Sequence, residues 1–448
     1  MNRIQFDGLL VGLIVAWAVV YGPGAARAQD VQDAWVGHWA GQMEREGKPA
    51  DLALDLVRSD SALQARFTSL RQRVMEYPLD AVTTDGDVIR LELGGGALVF
   101  EGERSADSLE GTFVEGEGEG TFELRRTPPP DHPYEVTDVR FRSGDVTLAG
   151  TKIVPDGEGP FPAVVFVHGA GPEIRWGAAR YFADRLGRRG IASLIYDKRG
   201  TGESTGDWRA ADFEQLAGDV LGATAVLRED RRIDPSAIGI HGHSQGGSMA
   251  PLIAVRAAGA IAFIIAGAAT GVPMWESEIH SLRSQVRDLG IEGEALARAD
   301  VFAEQMVAVA RAGGEGWDDL AAEAQKARER GEPWIDLLDP PPRDFYFWSW
   351  WPSIAEYDSA EWWARVDVPV LVIEAENDTY VPVEASVPRI DAALRRAGND
   401  DYTILVLPMA PHNFLLRPGP GEPFDWPRLA PGYTDLVAAW ILYRSRSR

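Results

Sequence analysis

The sequence predicts an α/β protein preceded by a small all-β domain. Three observations carry that reading: short alternating segments from Trp35 to about Arg126, a change to strands separated by helical periods after residue 133, and near-continuous Val, Ile and Leu in those later strands. Alternation with period two suits strands that bury one face, whereas unbroken apolar runs suit parallel strands covered on both faces.

The first segment, residues 1–28, has Arg3 ahead of an apolar run from Leu9 to Val20, followed by Gly22, Pro23 and the small-residue triplet Ala26, Arg27, Ala28. That order is expected of a secretory leader cut after Ala28, since a run of about a dozen residues is short for a membrane span of about 20. No later apolar run reaches spanning length, so no stable membrane insertion of the mature chain is expected. The expected location is the periplasm or the medium.

Residues 29–127 form the expected all-β accessory domain, a barrel or sandwich. Its strand candidates include "ADLALDLVRS", "ALQARFTSL", "VMEYPLDAVTT" and "ALVFEGERS", each bounded by Gly, Asp or Ser. The linker, 128–133, lies in "RTPPPDHP", where proline excludes both helix and strand ladder. The remaining residues, 134–448, are expected to form one α/β domain with strands at "FPAVVFVHG", "IASLIYDKRG", "SAIGIHGHS", "AFIIAGAAT", "PVLVIEAEND" and "YTILVLPMA". An Ala, Glu and Arg-rich insertion with helical spacing at about 271–366 is read as a helical cap over the strand ends.

Composition narrows the partners. With 44 Lys and Arg against 68 Asp and Glu, a net charge of -24 repels phosphate backbones, so no nucleic acid is expected. The chain has 0 cysteines, which removes disulfides, thiol catalysis and thiolate metal sites together. His241 and His243 alternate on one strand without a third ligand nearby, so neither a metal nor any other cofactor is expected.

The stretch "IGIHGHSQGGSMA" ends an apolar run at Ser244, with Gly242 and Gly246 on either side. A strand that turns sharply into a helix needs small neighbours there, and the turn exposes a hydroxyl in front of the helix N-terminus. Such a serine becomes a nucleophile only when a histidine takes its proton and a carboxylate orients that histidine. Of the 7 histidines, His412 in "MAPHNF" follows the last strand and is the base expected. Asp378 in "EAENDTYVP" ends the preceding strand and is preferred to Glu374 and Glu376, because serine, acid, histidine is the order such sheets use. The expected oxyanion donors are the main-chain N–H groups of Ala170, in "VHGAGPE", and of Gln245, the residue after the serine. Asp197 and Arg199, in "YDKRGTGEST", are expected to pair and brace their loop.

These motifs, "VHGAG", "YDKRGTGES", "GHSQGG", "ENDTYVP" and "PHNF", together resemble the α/β-hydrolase superfamily, in particular exported bacterial members similar to serine aminopeptidase and dienelactone hydrolase domains. The resemblance runs from about Tyr134 to the C-terminus apart from the cap, and implies the α/β-hydrolase fold with Ser244 as nucleophile, Asp378 as acid and His412 as base. It departs at Ala375, where relatives often carry glycine. The β domain and linker resemble the accessory domain of some secreted esterases.

The function expected is a serine carboxylic ester hydrolase acting through an acyl-enzyme on a small-molecule ester or short acyl substrate. The alternative is a serine aminopeptidase or acylaminoacyl peptidase, in which Glu276 and Glu278 of "WESEIH" would hold an ammonium group. A third possibility gives the function to ligand binding by the β domain, with an inert hydrolase portion. The aromatic run "FYFWSWW" supplies the expected substrate contacts, Trp350 and Trp351 foremost, although such a cluster also packs a cap onto a core.

Overall fold

The computed structural model describes residues 34–59, 62–419 and 421–446. The expected leader, 1–28, lies outside the described residues.

The N-terminal domain is one curled antiparallel sheet of nine strands: β1 Gly37–Arg45, β2 Lys48–Ser59, β3 Ala62–Ser69, β4 Val74–Pro78, β5 Ala81–Asp85, β6 Val88–Leu93, β7 Leu98–Ser105, β8 Ser108–Glu115 and β9 Gly118–Thr127. The order β4-β3-β2-β1-β9-β8-β7-β6-β5 puts consecutive strands β4 and β5 at opposite edges. The link between them draws those edges together: Leu79 N–H donates to Ala65 O at 2.9 Å on one side, and Asp80 N–H to Glu92 O at 2.8 Å on the other. The sheet is therefore curled like a barrel and is not a sandwich of two sheets. "VMEYPLDAVTT" is two strands rather than one, bent at Leu79 and Asp80. Alternate residues such as Leu52, Leu54, Leu56, Phe100, Phe113 and Phe122 point inward and form the domain's core, with Trp35 and Trp39.

The second domain carries a sheet of order β10-β11-β13-β12-β14-β15-β16-β17. The hairpin of β10 Tyr134–Ser143 and β11 Val146–Pro155 is antiparallel, and β11 also runs antiparallel to β13 Ala192–Tyr196. From β13 onward neighbours are parallel: β12 Phe161–Val167, β14 Ile233–His243, β15 Ile264–Gly267, β16 Val370–Ala375 and β17 Tyr402–Leu407. Helices α1 Ala178–Gly187, α2 Phe213–Arg228 and α3 Gln245–Arg256 connect the first of these strands. Strands β12, β13 and β16 are buried along almost their whole length, as continuous apolar runs covered on both faces should be, whereas the edge strand β17 is only half-buried.

Between β15 and β16 come α4 Met274–Asp288, α5 Gly293–Arg311, α6 Trp317–Glu329, α7 Phe347–Trp350 and α8 Ser359–Trp363. Helices α9 Val383–Arg396 and α10 Tyr433–Arg446 complete the domain, with a small pair of strands, β18 Leu415–Leu416 and β19 Arg428–Leu429, between them. Among the described residues, no helix is long and apolar enough to cross a membrane.

Candidate active site

Strand β14 delivers Ser244 into a turn that only small neighbours allow. A Cβ on Gly242 would lie 2.2 Å from Gly246 O, and one on Gly246 would lie 2.4 Å from Val167 O, both main-chain atoms that cannot step aside. Ser244 itself has φ 58° and ψ -122°, a conformation that side chains rarely adopt and that persists only where surroundings enforce it. Ser244 N–H donates to Gly267 O at 2.9 Å, and Ser248 Oγ–H donates to Ser244 O at 3.0 Å, fixing the turn from both sides. The Ser244 side chain caps no helix N–H, so its hydroxyl remains available to another partner.

That partner is His412, whose Nε2 is 2.9 Å from Ser244 Oγ, while His412 Nδ1 is 2.7 Å from Asp378 Oδ2. Asp378 is 8% exposed, and its other oxygen accepts from the N–H groups of Tyr380 at 2.8 Å and Val381 at 2.9 Å. The acid is thus aimed by its own turn, in a mostly dry setting that strengthens its hold on the imidazole. Glu374 and Glu376 do not compete. Glu374 lies buried in β16, where burial raises its pKa well above the usual range and Ala269 N–H donates to one oxygen. Glu376 accepts from Met409 N–H at 2.7 Å.

The other histidines have their own partners. His38 meets Asp55, His132 meets Tyr134 and Arg188, His280 meets Ser284, and His241 meets the Tyr433 hydroxyl. His243 Nε2–H donates to His412 O at 2.9 Å, and burial lowers its pKa to about 3, so the ring is neutral and serves as a donor. His168 Nδ1 meets Glu173 Oε2 at 3.1 Å.

Ala170 and Ser244 line one cleft of about 1250 Å³, and Gln245 opens α3 directly behind the serine. The loop carrying Ala170 is held from beneath by Lys198. Its ammonium donates to Gly169 O at 2.7 Å, Gly171 O at 3.0 Å and the Gln245 side-chain oxygen at 3.3 Å. One buried cation therefore ties together the two segments that bear the expected oxyanion donors. Burial pulls its pKa down to about 8, against the opposing attraction of Glu173 and Asp219. Glu173 lines the same cleft and accepts from Gly169 N–H at 2.9 Å. Burial would raise its pKa, but His168, Lys198 and that N–H hold it down to about 2.

Two expectations are corrected. Asp197 and Arg199 do not pair with each other: Asp197 takes Arg175 at 2.6 Å, and Arg199 takes Asp219 at 2.6 Å. The two side chains of neighbouring positions serve opposite sides of the loop, which is braced twice instead of once. Trp350 and Trp351 are not among the residues lining the Ser244 cleft. Trp350 Nε1–H donates to Ala211 O at 3.2 Å, its ring packs on Trp208 at 6.1 Å, and Trp351 is 4% exposed beneath Phe347, so both seat the insertion on the core. Nor do Glu276 and Glu278 line the cleft. Burial raises the Glu278 carboxyl to about 7.

Most of the cleft wall comes instead from the segment after β17, although Asp288 of α4 also lines it. Pro408, Met409, Leu415, Leu416, Arg417 and Trp426 line it, opposite Gly169 and Ala170. Within this region the sequence predicts only His412 as a site residue, because the irregular, proline-rich chain has no period to follow.

The arrangement can take a proton from the Ser244 hydroxyl, keep the resulting imidazolium paired with Asp378, and offer N–H groups to a developing oxyanion. A family model described as "Alpha/beta hydrolase family" matches residues 164–422. Esterase EstD of Thermotoga maritima is 33% identical over 344 residues, which span 73% of this chain and 74% of that protein. Quorum-quenching protein AidA of Acinetobacter baumannii is 34% identical over 116 residues, 26% of this chain and 38% of that one. Among solved structures, the Pyrococcus furiosus esterase Pf2001 covers 72% of this chain and 94% of its own, with 15% identity and a TM-score of 0.43. The family match, together with the breadth of the likeness to EstD, shows that the chain belongs to the α/β hydrolase family.

Proposed function

We propose that the protein is a serine carboxylic ester hydrolase in which Ser244 is the nucleophile, His412 the general base and acid, and Asp378 the residue that orients and charges-balances the imidazole. The observation that carries this reading is the unbroken sequence of contacts from Ser244 Oγ through His412, at 2.9 Å, to Asp378, at 2.7 Å. The likeness to an esterase over most of both chains supports an ester as the substrate.

In the proposed mechanism His412 Nε2 takes the hydroxyl proton as Ser244 Oγ attacks the ester carbonyl. The N–H groups of Ala170 and Gln245 receive the oxyanion, and Lys198 keeps their two segments in register. Collapse expels the alcohol, which leaves with the proton from His412, and an acyl group remains on Ser244. A water activated by His412 then releases the acid and restores the hydroxyl.

Glu276 and Glu278, the anions expected to hold the ammonium group in the aminopeptidase alternative, stand outside the cleft. Turnover of matched p-nitrophenyl esters and aminoacyl p-nitroanilides, with a Ser244→Ala control, tests the choice. Serine-dependent ester cleavage with negligible anilide cleavage is expected, and anilide cleavage requiring a free amine would overturn it. Export to the periplasm or medium is proposed on the leader-like residues 1–28 alone, and N-terminal sequencing of the mature protein tests it.

A further inference from the structure

We infer that the N-terminal β domain is part of the hydrolytic site, with Arg73 acting as a positioning residue that holds the His412 loop in reach of Ser244. The inference rests on the functional reading above for its mechanism, but its geometry is independent of any substrate. Arg73 closes the turn between β3 and β4, and its Nη1–H donates across the domain boundary to Asn413 O at 2.8 Å. The preceding carbonyl, His412 O, accepts from His243. Two consecutive carbonyls of the loop are thus held by different domains, one by the strand that carries Ser244 and the other by the β domain.

The loop needs such restraint. Met409 and Phe414, on either side of His412, both have φ 57°, a strained conformation that non-glycine residues keep only where their surroundings enforce it. The guanidinium is itself fixed, lying 5.5 Å from the centre of the Phe182 ring of α1. Nearby contacts keep the domains in register: Arg180 binds Glu76 at 2.9 Å, and Gly177 N–H donates to Met75 O at 2.8 Å.

The far wall of the cleft is anchored to the same domain. Trp426 lines the cleft yet is buried with the β-domain core, packs 6.1 Å from Phe113 and donates its Nε1–H to Lys48 O at 2.8 Å. Arg71 pairs with Asp425 at 3.2 Å. The β domain therefore holds both the base and the wall, and its role is to shape this site.

The test measures, in the full chain, the rate at which a fluorophosphonate probe labels Ser244, alongside kcat and KM for a p-nitrophenyl ester. The variants are Arg73→Met, Arg73→Gln and Arg73→Lys, each with a thermal unfolding control. Arg73→Met is expected to label at least about tenfold more slowly, with kcat falling by a similar factor and KM within about twofold, since small misplacements of reacting groups act on the chemical step. Arg73→Lys, which retains a cationic donor, is expected to recover part of that loss. Labelling of folded Arg73→Met within about twofold of the wild-type rate would overturn the inference. Failure of all three variants to fold would also overturn it, because the residue would then serve stability alone. A wild-type protein that neither labels at Ser244 nor cleaves esters would sink the functional reading and the inference with it, whereas equal labelling of wild type and Arg73→Met sinks the inference only.

Discussion

His243 Nε2–H donates to the main-chain oxygen of His412 at 2.9 Å, so the residue immediately before the proposed nucleophile holds the loop of the proposed base. The serine and histidine are thereby registered through the main chain as well as through their own hydrogen bond. Replacing His243 by Phe keeps an aromatic ring, slightly larger than the imidazole, and removes the donor. The expected outcome is a fall in kcat of about tenfold with little change in KM, because the loss is one of orientation at the reacting atoms. Steady-state kinetics on a p-nitrophenyl ester check it.

Acid should destabilise the fold through two neutral histidines. Burial is the first cause of the lowered pKa of both His241, to about 4, and His243, to about 3. Above the unfolded value of 6.5 neither state binds these protons, and stability owes nothing to pH through them. As pH falls below 6.5 the unfolded chain takes up protons that the native state refuses, so stability declines until the folded values are reached. Thermal unfolding followed from neutral pH downward should show this decline, with a shallower slope in His241→Gln. An equal slope in that variant would assign the acid sensitivity to other groups.

Lys198 is expected to matter for transition-state binding more than for substrate binding. Lys198→Met preserves length and removes all three donations, to Gly169 O, Gly171 O and Gln245 Oε1. A kcat loss of roughly tenfold to a hundredfold is expected, approaching that of removing one oxyanion donor. Affinity for a boronic acid that mimics the tetrahedral adduct should fall by a similar factor, while KM stays near wild type.

Trp350 and Trp351 should behave as packing residues. Trp350 is 9% exposed and Trp351 4%, and truncating a buried tryptophan to alanine typically costs about 3–5 kcal/mol. Trp350→Ala and Trp351→Ala are therefore expected to lower the unfolding temperature while leaving KM for small esters unchanged. A large KM effect in a stable variant would restore these side chains to the substrate path.

The parts of the site legible in the sequence are those with local grammar. Ser244 sits between glycines at a strand end, and Asp378 and His412 follow the next strands in the order the sheet topology dictates. The hairpin of β10 and β11 escaped reading although "YEVTDVRFRSGDVTLAG" carries a usable signal, alternation on both sides of Ser-Gly-Asp. Lys198, Arg73 and Trp426 carry no such signal. Their roles arise from contacts between segments distant in sequence: Lys198 with Gln245, Arg73 with Asn413, and Trp426 with Lys48. The aromatic run misled for a related reason, since composition marks "FYFWSWW" as apolar without saying which surface it covers.

Acylation of Ser244 is the step on which the proposed function turns, and intact-mass analysis of protein quenched during turnover of p-nitrophenyl acetate reads it out. The expected result is a species heavier by one acetyl group, mapped by peptide digestion to the fragment containing Ser244, that accumulates in His412→Ala too slowly to detect and is absent from Ser244→Ala. Ester turnover that persists in Ser244→Ala, or an acetyl group found on another residue during turnover, would contradict it.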